Sequence, residues 1–204
     1  MLDGLLRVVQ TERADGDASE WWPDATAFGW DLPIAWVHQV HGVEVADARA
    51  AGRGVDADAI VRRADAPLVA GIRTADCVPV VVAAADGAAA VIHAGWPGVV
   101  GGVIGQAGAA LGGHAVVAVI GAHARGCCYE FVGPARVDVE RVVGTQYFRG
   151  PNLDLTAAVR DQLASLGVEE IIDLDACTIH EERWYSWRRE RTMARQALLV
   201  GPGR

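Results

Sequence analysis

Three side chains suited to metal binding or nucleophilic catalysis stand beside short apolar segments of the chain. Cys77 directly precedes one apolar run, and His93 directly follows the next. The two runs, residues 78–82 and 89–92, are separated by an Asp-Gly pair that is typical of a tight turn. The pattern therefore predicts an antiparallel hairpin that carries both side chains at its open end. A third candidate, His41, lies upstream.

Two imidazoles and one thiolate suit a catalytic zinc ion, because three protein ligands leave a fourth position open for water. Cys77 and His93 could instead act as a nucleophile and its general base. A cysteine at the edge of an apolar run can also be simply a small buried side chain. Asp76 could orient a ligand histidine, move protons or accept hydrogen bonds from turn amides. The residues alone leave these interpretations open.

Further segments accompany these residues in a fixed order, and together they carry a resemblance. The first three are Gln39-Val-His41-Gly, Thr74-Ala-Asp-Cys77 and His93-Ala-Gly-Trp96. The later ones are Gly126-Cys-Cys-Tyr-Glu130, Leu153-Asp-Leu155, Cys177-Thr178 and Tyr185-Ser-Trp-Arg-Arg189. This set resembles the YfiH-like family, also called laccase-domain or multi-copper polyphenol oxidase-like proteins and peptidoglycan editing factor. The resemblance runs from about residue 33 to the C-terminus.

The resemblance implies a zinc site formed by His41, Cys77 and His93, with copper as the less favoured metal. It also implies phosphorolysis of adenosine, inosine, guanosine and methylthioadenosine, together with adenosine deamination, so the expected partners are a purine nucleoside and phosphate. Zinc lowers the pKa of a bound water to about 7, which suits deamination at C6 of adenine with Asp76 relaying the proton. The expected catalytic residues are Asp76, Cys77 and His93, and the expected substrate contacts are Arg13, Gln39, Trp96 and His123.

Other functions remain open beside this one. The first is a cysteine hydrolase that uses Cys77 and His93 on an amide or a peptidoglycan precursor. The second is a non-catalytic paralog that keeps the metal site, and the third is a copper-dependent polyphenol oxidase. Metal content separates the first from a zinc enzyme, because a thiolate bound to zinc is not free to be alkylated.

Two departures from the family pattern affect substrate binding. The family usually carries arginine where this chain has Pro97, and arginine holds phosphate through two charge-assisted hydrogen bonds. Phosphorolysis is therefore expected to be weaker than deamination or absent. Residues 11–19, which include Arg13, match a family turn only loosely, and about 30–40 residues of a usual loop and helix are absent after them. The expected domain thus spans residues 1–204 with a shortened N-terminal segment.

Composition narrows the class of protein further. The 204 residues carry a net charge of −8 with a pI near 5.2, which argues against nucleic acid as a partner. No apolar run approaches the ~20 residues that span a bilayer, and no signal peptide is evident at the start. Four cysteines do not form a disulfide framework, so we expect a cytoplasmic protein with no membrane partner. The oligomeric state cannot be read from these residues.

The mixture of strand and helix patterns predicts an α+β fold, a single mixed-sheet layered domain of the YfiH-like type. Strands are expected at residues 5–10, 34–40, 67–72, 78–82, 89–92, 115–120 and 168–174, and residues 55–61 are expected to be a loop that leads into a short strand. Helices are expected at 98–111, 134–143 and 154–166.

Several polar residues are interpreted as structural or solvated. Asp56 and Asp58 are expected in solvent within a loop, and His38 is expected at the surface. The adjacent Cys127 and Cys128 are expected to be one core thiol and one thiol without a role, since a disulfide between neighbouring cysteines is strained. Further residues in this group are Cys177 in the core, His114 and His180 on the surface or in a loop, and Arg188 and Arg189 paired with carboxylates.

Overall fold

Twelve strands and five α-helices form the described part of the chain. The computed structural model describes residues 4–20, 22–112 and 114–203. The strands are β1 (Leu6–Gln10), β2 (Ile34–Ala35), β3 (Val45–Asp47), β4 (Ala59–Arg62), β5 (Val69–Thr74), β6 (Val78–Ala84), β7 (Ala89–Ala94), β8 (Ala115–Ile120), β9 (Phe148–Arg149), β10 (Asn152–Leu153), β11 (Glu170–Asp173) and β12 (Gln196–Pro202). The helices are α1 (Trp96–Gly101), α2 (Val103–Leu111), α3 (Pro134–Val142), α4 (Leu155–Ser165) and α5 (Trp187–Glu190).

The strands form two large sheets and one short ribbon. One sheet has six strands in the order β11-β8-β6-β7-β4-β3, and the other has four in the order β1-β12-β5-β2. Parallel pairs occur at β11–β8, β3–β4 and β2–β5, while the remaining neighbours in both sheets are antiparallel. The predicted α+β class and single mixed-sheet domain are therefore confirmed. The extent of residues 1–204 with a shortened N-terminal segment stays a prediction.

The alternation of side chains along β6 and β7 produces three layers. Val80, Val82 and Ile92 face one side of the six-stranded sheet, where they pack with buried residues of α2 and α4. Val81 and Val91 face the other side and pack against buried residues of β5 and β12 in the four-stranded sheet. Helices, six-stranded sheet and four-stranded sheet are thus stacked in that order. Within the described residues, none of the helices has the length and apolarity that spanning a membrane requires.

The predicted hairpin is confirmed and places the two reactive side chains at one rim. Strands β6 and β7 pair antiparallel, with Pro79 opposite His93 and Val78 opposite Ala94. Gly87 adopts a φ of 87° in the connecting turn, where a side chain would be strained. Cys77 therefore lies just before the first paired residue of β6, beside the last residues of β7.

Among the differences from the sequence-based expectation, two affect the elements beside the predicted metal ligands. The strand expected at residues 34–40 is regular only at Ile34–Ala35, and the extended chain beyond it leads into the turn that contains His41. The single helix expected at 98–111 is two helices, because Gly102 adopts a left-handed conformation with a φ of 87° and interrupts the α-helical ladder. Helix α1 begins at Trp96, three residues after His93, with Gly95 as its N-cap.

Candidate metal centre and cavity

A cavity of about 570 Å³ lies at the end of the layers where β5 ends, β6 begins and β7 ends. Its wall contains His41, Cys77 and His93, whose possible ligand atoms all lie within 4.8 Å of one another. The Cys77 sulfur is 3.8 Å from Nε2 of His41, and the centroids of the two imidazole rings are 4.7 Å apart. The structure thus brings together the three residues predicted as metal ligands.

Asp58 fixes the orientation of His93. Its Oδ1 atom is 2.7 Å from Nδ1 of His93, and both side chains are buried. A ring that uses Nδ1 for this hydrogen bond presents Nε2 toward the cavity, which is the arrangement common for metal-binding histidines. The sequence-based placement of Asp58 in solvent is wrong: its exposed fraction is 0%.

The same carboxylate shapes the turn that carries His41. Asp58 accepts hydrogen bonds from the backbone amides of Val40, His41 and Gly42, at 3.2, 3.0 and 2.6 Å. His41 has a φ of 62°, an unfavourable region for a residue with a side chain. Hydrogen bonds from three backbone amides to one buried carboxylate therefore hold the strained turn in place. Because the same carboxylate also binds His93, it orients both histidines toward the cavity.

The three side chains and Asp58 perturb one another electrostatically. Burial by itself raises the pKa of the Cys77 thiol, but the charges and hydrogen bonds of His93 and His41 outweigh it and lower the pKa to about 6. Burial would lower the pKa of His93, but the Cys77 thiolate and Asp58 raise it to about 9. Burial likewise raises the pKa of Asp58, and His93 with the turn amides overcomes this and holds it below its usual range. Cys77 is consequently held as a thiolate, the form that binds a metal or attacks an electrophile.

The donor set fits a metal ion. One thiolate and two imidazoles are borderline-soft ligands suited to zinc, and their atoms are close enough for bonds of about 2.0–2.3 Å to a common centre. Two of the donors have supporting partners, since Asp58 holds the His93 ring and the His41 backbone. The residues therefore can hold a metal ion, and three protein ligands would leave a further position facing the cavity.

Asp76 lines the cavity but is anchored by other residues. Its Oδ1 accepts a hydrogen bond from the Thr178 hydroxyl at 2.7 Å, and its Oδ2 accepts one from the Arg188 amide at 2.7 Å. It has a φ of 95° and is 7% exposed. The carboxylate that orients a ligand histidine is thus Asp58, while Asp76 joins the Cys77 segment to the chain near α5.

Two of the predicted substrate contacts line the cavity. Gln39 forms a paired amide contact with the backbone of Arg73, accepting from its N–H at 2.9 Å and donating to its carbonyl at 2.8 Å. Trp96 is partly exposed on the cavity wall, and its ring meets Phe131 edge to face. The Gln39 amide thus ties the His41 segment to β5, whereas the Trp96 ring offers an apolar face to a ligand.

The other two predicted substrate contacts point elsewhere. The Arg13 guanidinium is 2.5 Å from Glu190, bonds the Trp184 carbonyl and lies over the Tyr185 ring, outside the cavity lining. His123 is fully buried: its Nδ1 bonds the Gly121 carbonyl, and its Nε2 forms a short contact with the Thr156 hydroxyl. Both are occupied by contacts that position neighbouring segments.

Arg73, Arg188 and Arg195 bring positive charge to the cavity wall. The Arg188 guanidinium donates to the Glu130 carbonyl at 2.7 Å, and that of Arg195 donates to the carbonyls of Thr192 and Ala194. Burial, followed by the charges of neighbouring arginines, lowers the pKa of Arg73 to about 10, so this side chain still carries its charge at neutral pH. The carboxylate of Asp17 interacts electrostatically with Arg73 and Arg195, so three guanidinium groups and one nearby carboxylate contribute to the charge of this wall.

Gly95 packs against two of the candidate metal ligands, so a substitution there can displace them while the ligand residues themselves stay unchanged. A methyl group at this position would lie 2.8 Å from Cδ2 of His41 and 3.3 Å from the Cys77 sulfur, while the backbone (φ −69°, ψ 161°) accepts alanine. We expect Gly95→Ala to displace the His41 ring and weaken metal binding about 10- to 100-fold. Zinc titration against a competing chelator measures this. Gly105→Ala is the control, because nothing lies within 4 Å of its added methyl; unchanged zinc affinity in Gly95→Ala would contradict the geometry.

Comparison with known proteins identifies relatives of the whole layered unit. The family model described as multi-copper polyphenol oxidoreductase laccase matches residues 23–202. A purine nucleoside phosphorylase of Streptomyces coelicolor is 38% identical over 179 residues, which cover 82% of this chain and 74% of that protein. A purine nucleoside phosphorylase of Xylella fastidiosa is 37% identical over 187 residues, covering 82% of this chain and 72% of that protein.

Solved structures share the fold. A Neisseria meningitidis protein superposes with a TM-score of 0.79 at 28% identity, covering 88% of this chain and 78% of that one. YlmD from Geobacillus stearothermophilus gives a TM-score of 0.75 at 25% identity, covering 88% and 77%. Bacillus licheniformis YfiH gives 0.77 at 22% identity over 87% and 78% of the two chains, a likeness of fold alone.

Proposed function

Because the chain belongs to the multi-copper polyphenol oxidoreductase laccase family, the YfiH-like family, we propose that it is a zinc-dependent purine nucleoside phosphorylase. The observation that carries the proposal is one cavity that combines the His41, Cys77 and His93 donors with a wall of arginines. Relatives named purine nucleoside phosphorylase at 37–38% identity support the substrate class. The expected substrates are adenosine, inosine, guanosine and methylthioadenosine, with phosphate as the second reactant.

In this proposal His41, Cys77 and His93 hold the zinc ion. Zinc in such a site supplies Lewis-acid chemistry and makes bound water more acidic. Asp58 holds the His93 ring through Nδ1, so that Nε2 is directed toward the cavity, and it fixes the His41 turn. Copper is the less favoured metal, because the proposed reaction uses a Lewis acid and no electron transfer, and zinc supplies that chemistry.

Aromatic side chains suit the purine base. Trp96 and Trp187 both line the cavity, and each exposes part of its ring. Flat aromatic faces bind flat heterocycles by offset stacking without reading their substituents closely. This agrees with the proposed range of bases, from adenine to guanine.

The arginines suit phosphate. Arg73, Arg188 and Arg195 line the same cavity as the candidate metal ligands, and a guanidinium group binds a phosphate through paired charge-assisted hydrogen bonds.

The expectation of weak phosphorolysis rested on Pro97, which stands in the turn after His93 where the family usually carries an arginine. Three cations elsewhere on the wall are a reason to revise it, and we propose phosphorolysis as the principal reaction, with adenosine deamination as a second activity. Pro97→Arg is then expected to change the adenine yield little.

Arg188→Gln tests the phosphate contact. Loss of one charged hydrogen bond costs about 1.5–3 kcal/mol, so we expect KM for phosphate to rise about 10- to 100-fold. KM for the nucleoside should change much less. Arg141→Gln is the matched control, because the exposed Arg141 pairs with the exposed Asp138 at 3.4 Å and does not line the cavity. An equal rise in both KM values for Arg188→Gln, or none, would show that Arg188 does not bind phosphate.

A specific observation also favours a second candidate, a cysteine hydrolase. Cys77 is held as a thiolate beside His93, and Asp58 supports His93 in the order of a nucleophile, base and orienting acid. An amide or a peptidoglycan precursor would be the substrate. Rapid alkylation of Cys77 in zinc-loaded protein, with turnover independent of zinc, would favour this function over ours. Protection of Cys77 by zinc would favour the phosphorylase.

A further inference from the structure

A second cluster of metal-binding side chains lies outside the cavity lining. The ligand atoms of Cys127, Cys128, Cys177 and His180 all lie within 4.8 Å of one another. The sequence-based interpretation gave the adjacent cysteines no common role and placed His180 in a loop. The structure instead joins residues separated by about fifty positions in the chain.

The distances within the cluster suit a tetrahedral site. The sulfur of Cys128 is 3.2 Å from that of Cys177 and 3.4 Å from that of Cys127, and the Cys127 and Cys177 sulfurs are 4.0 Å apart. The Cys127 sulfur is 3.8 Å from Nδ1 of His180. Bonds of about 2.0–2.3 Å at tetrahedral angles place ligand atoms roughly 3.3–3.8 Å apart. These four pairs differ from the tetrahedral spacing by at most about 0.6 Å, and the remaining pairs of ligand atoms lie within 4.8 Å.

Two turns present the four ligands. The amides of Cys128 and Tyr129 donate hydrogen bonds to the Arg125 carbonyl, and this turn carries the exposed Cys127 and the partly buried Cys128. Amides of His180 and Glu181 bond the Cys177 carbonyl, which folds His180 back over Cys177. Backbone hydrogen bonds therefore form both turns.

A positive charge lies beneath the second turn. The Arg189 guanidinium donates to the carbonyls of Thr178 and Glu181, at 2.7 and 3.1 Å. Three thiolates around one divalent ion leave a net negative charge, so a nearby cation stabilises the loaded form. In the sequence Arg189 was expected to pair with a carboxylate; it also contacts Glu190, but most of its bonds go to this loop.

We propose that Cys127, Cys128, Cys177 and His180 form a second site that binds one Zn²⁺ ion and has a structural role. A set of three cysteines and one histidine is a closed structural zinc site, with no position left for substrate. Binding displaces the protons of the three thiols, and neutral His180 binds through Nδ1 while its proton stays on Nε2. No oxidant is required.

The ion would join two segments of the cavity wall. Tyr129, next to Cys128, lines the cavity, and Thr178, next to Cys177, donates to Asp76 on that wall. Loading this site is therefore expected to stabilise the wall without supplying chemistry to the substrate. The inference does not depend on the proposed nucleoside activity.

The test is zinc content of the full chain, fully reduced, exposed to Zn²⁺ and freed of excess metal. We expect Cys128→Ser to bind one zinc ion fewer than wild type, and Cys77→Ser/Cys128→Ser to bind one fewer than Cys77→Ser. The second comparison keeps the two sites distinguishable. Equal zinc contents within each pair, or a Cys128–Cys177 disulfide that persists under reduction in the wild type, would overturn the second site.

Cys128→Ser could lose zinc because the variant misfolds. Two further measurements avoid this problem, since one changes an exposed histidine and the other uses wild-type protein. His180→Ala changes an exposed ligand and should weaken zinc binding at this site at least about tenfold, whereas exposed His114→Ala should not. In wild-type protein, Zn²⁺ should slow iodoacetamide modification of exposed Cys127 at least about tenfold, as followed by peptide mapping. Zinc-independent modification of Cys127, or equal affinities for the two histidine variants, would refute the proposal.

Discussion

Cys77→Ser is expected to remove one zinc ion per chain and to lower nucleoside phosphorolysis at least about 100-fold. The thiolate is one of three ligands within 4.8 Å of one another, and serine, with its far higher pKa, does not replace it at neutral pH. A catalytic metal stabilises charge in the transition state by several kcal/mol, and each 1.36 kcal/mol is tenfold in rate. Elemental analysis and turnover are measured on the same preparation.

A companion variant distinguishes a ligand from a nucleophile. His41→Gln removes a different ligand and leaves the thiol in place, so a zinc site predicts a parallel loss of metal and activity. Should Cys77→Ser keep its full zinc content while losing turnover, Cys77 is a nucleophile and the hydrolase function replaces ours.

Asp58→Asn is expected to weaken zinc binding about 10- to 100-fold and to lower the free energy of unfolding by at least about 2 kcal/mol. The carboxylate accepts four hydrogen bonds, from His93 and from three amides of the strained turn. The asparagine side chain has an NH2 donor where aspartate has a second acceptor oxygen. In this buried site that donor would face backbone N–H groups, which are donors as well. Two ligand histidines lose their support at once, although neither is changed.

Asp56→Asn is the matched control for this prediction. Asp56 stands two residues earlier, is exposed and pairs with exposed His38 at 2.9 Å. Surface pairs of this kind contribute about 0–1 kcal/mol, so zinc affinity and unfolding should stay close to wild type. Urea unfolding and chelator competition on both variants provide the comparison. Similar effects at the two positions would mean that Asp58 has no special part in holding the ligands.

Local patterns were sufficient to predict the β6–β7 hairpin and the proximity of Cys77 to His93. The turn residues and the apolar runs lie within one short stretch, and antiparallel register follows from them. The role of Asp58 could not be predicted in the same way. It depends on β4 pairing with β7, which places Ala59 opposite Ile92 and so brings Asp58 to His93. The position directly before a buried strand is a weak signal when its partner strand is unknown.

Side-chain direction explains the other differences. His123 stands in a loop segment that the family motif places near substrate, but its ring points inward to Thr156 of α4. Arg13 pairs with Glu190 across 177 positions, and Cys127 meets Cys177 across 50. Such long-range contacts are fixed by packing of the layers, which composition and periodicity do not specify.

Phosphate-dependent release of adenine from adenosine is the most direct measurement of the proposed activity. Reduced, zinc-loaded wild-type protein is incubated with adenosine, with and without phosphate, and adenine, ribose 1-phosphate, inosine and ribose are quantified. Hypoxanthine is quantified as well, because deamination yields inosine, which is itself an expected substrate. We predict that ribose 1-phosphate equals the sum of adenine and hypoxanthine, with adenine formed only with phosphate and lost when zinc is stripped. Absence of adenine in saturating phosphate, or adenine release that requires neither phosphate nor zinc, would contradict the proposed function.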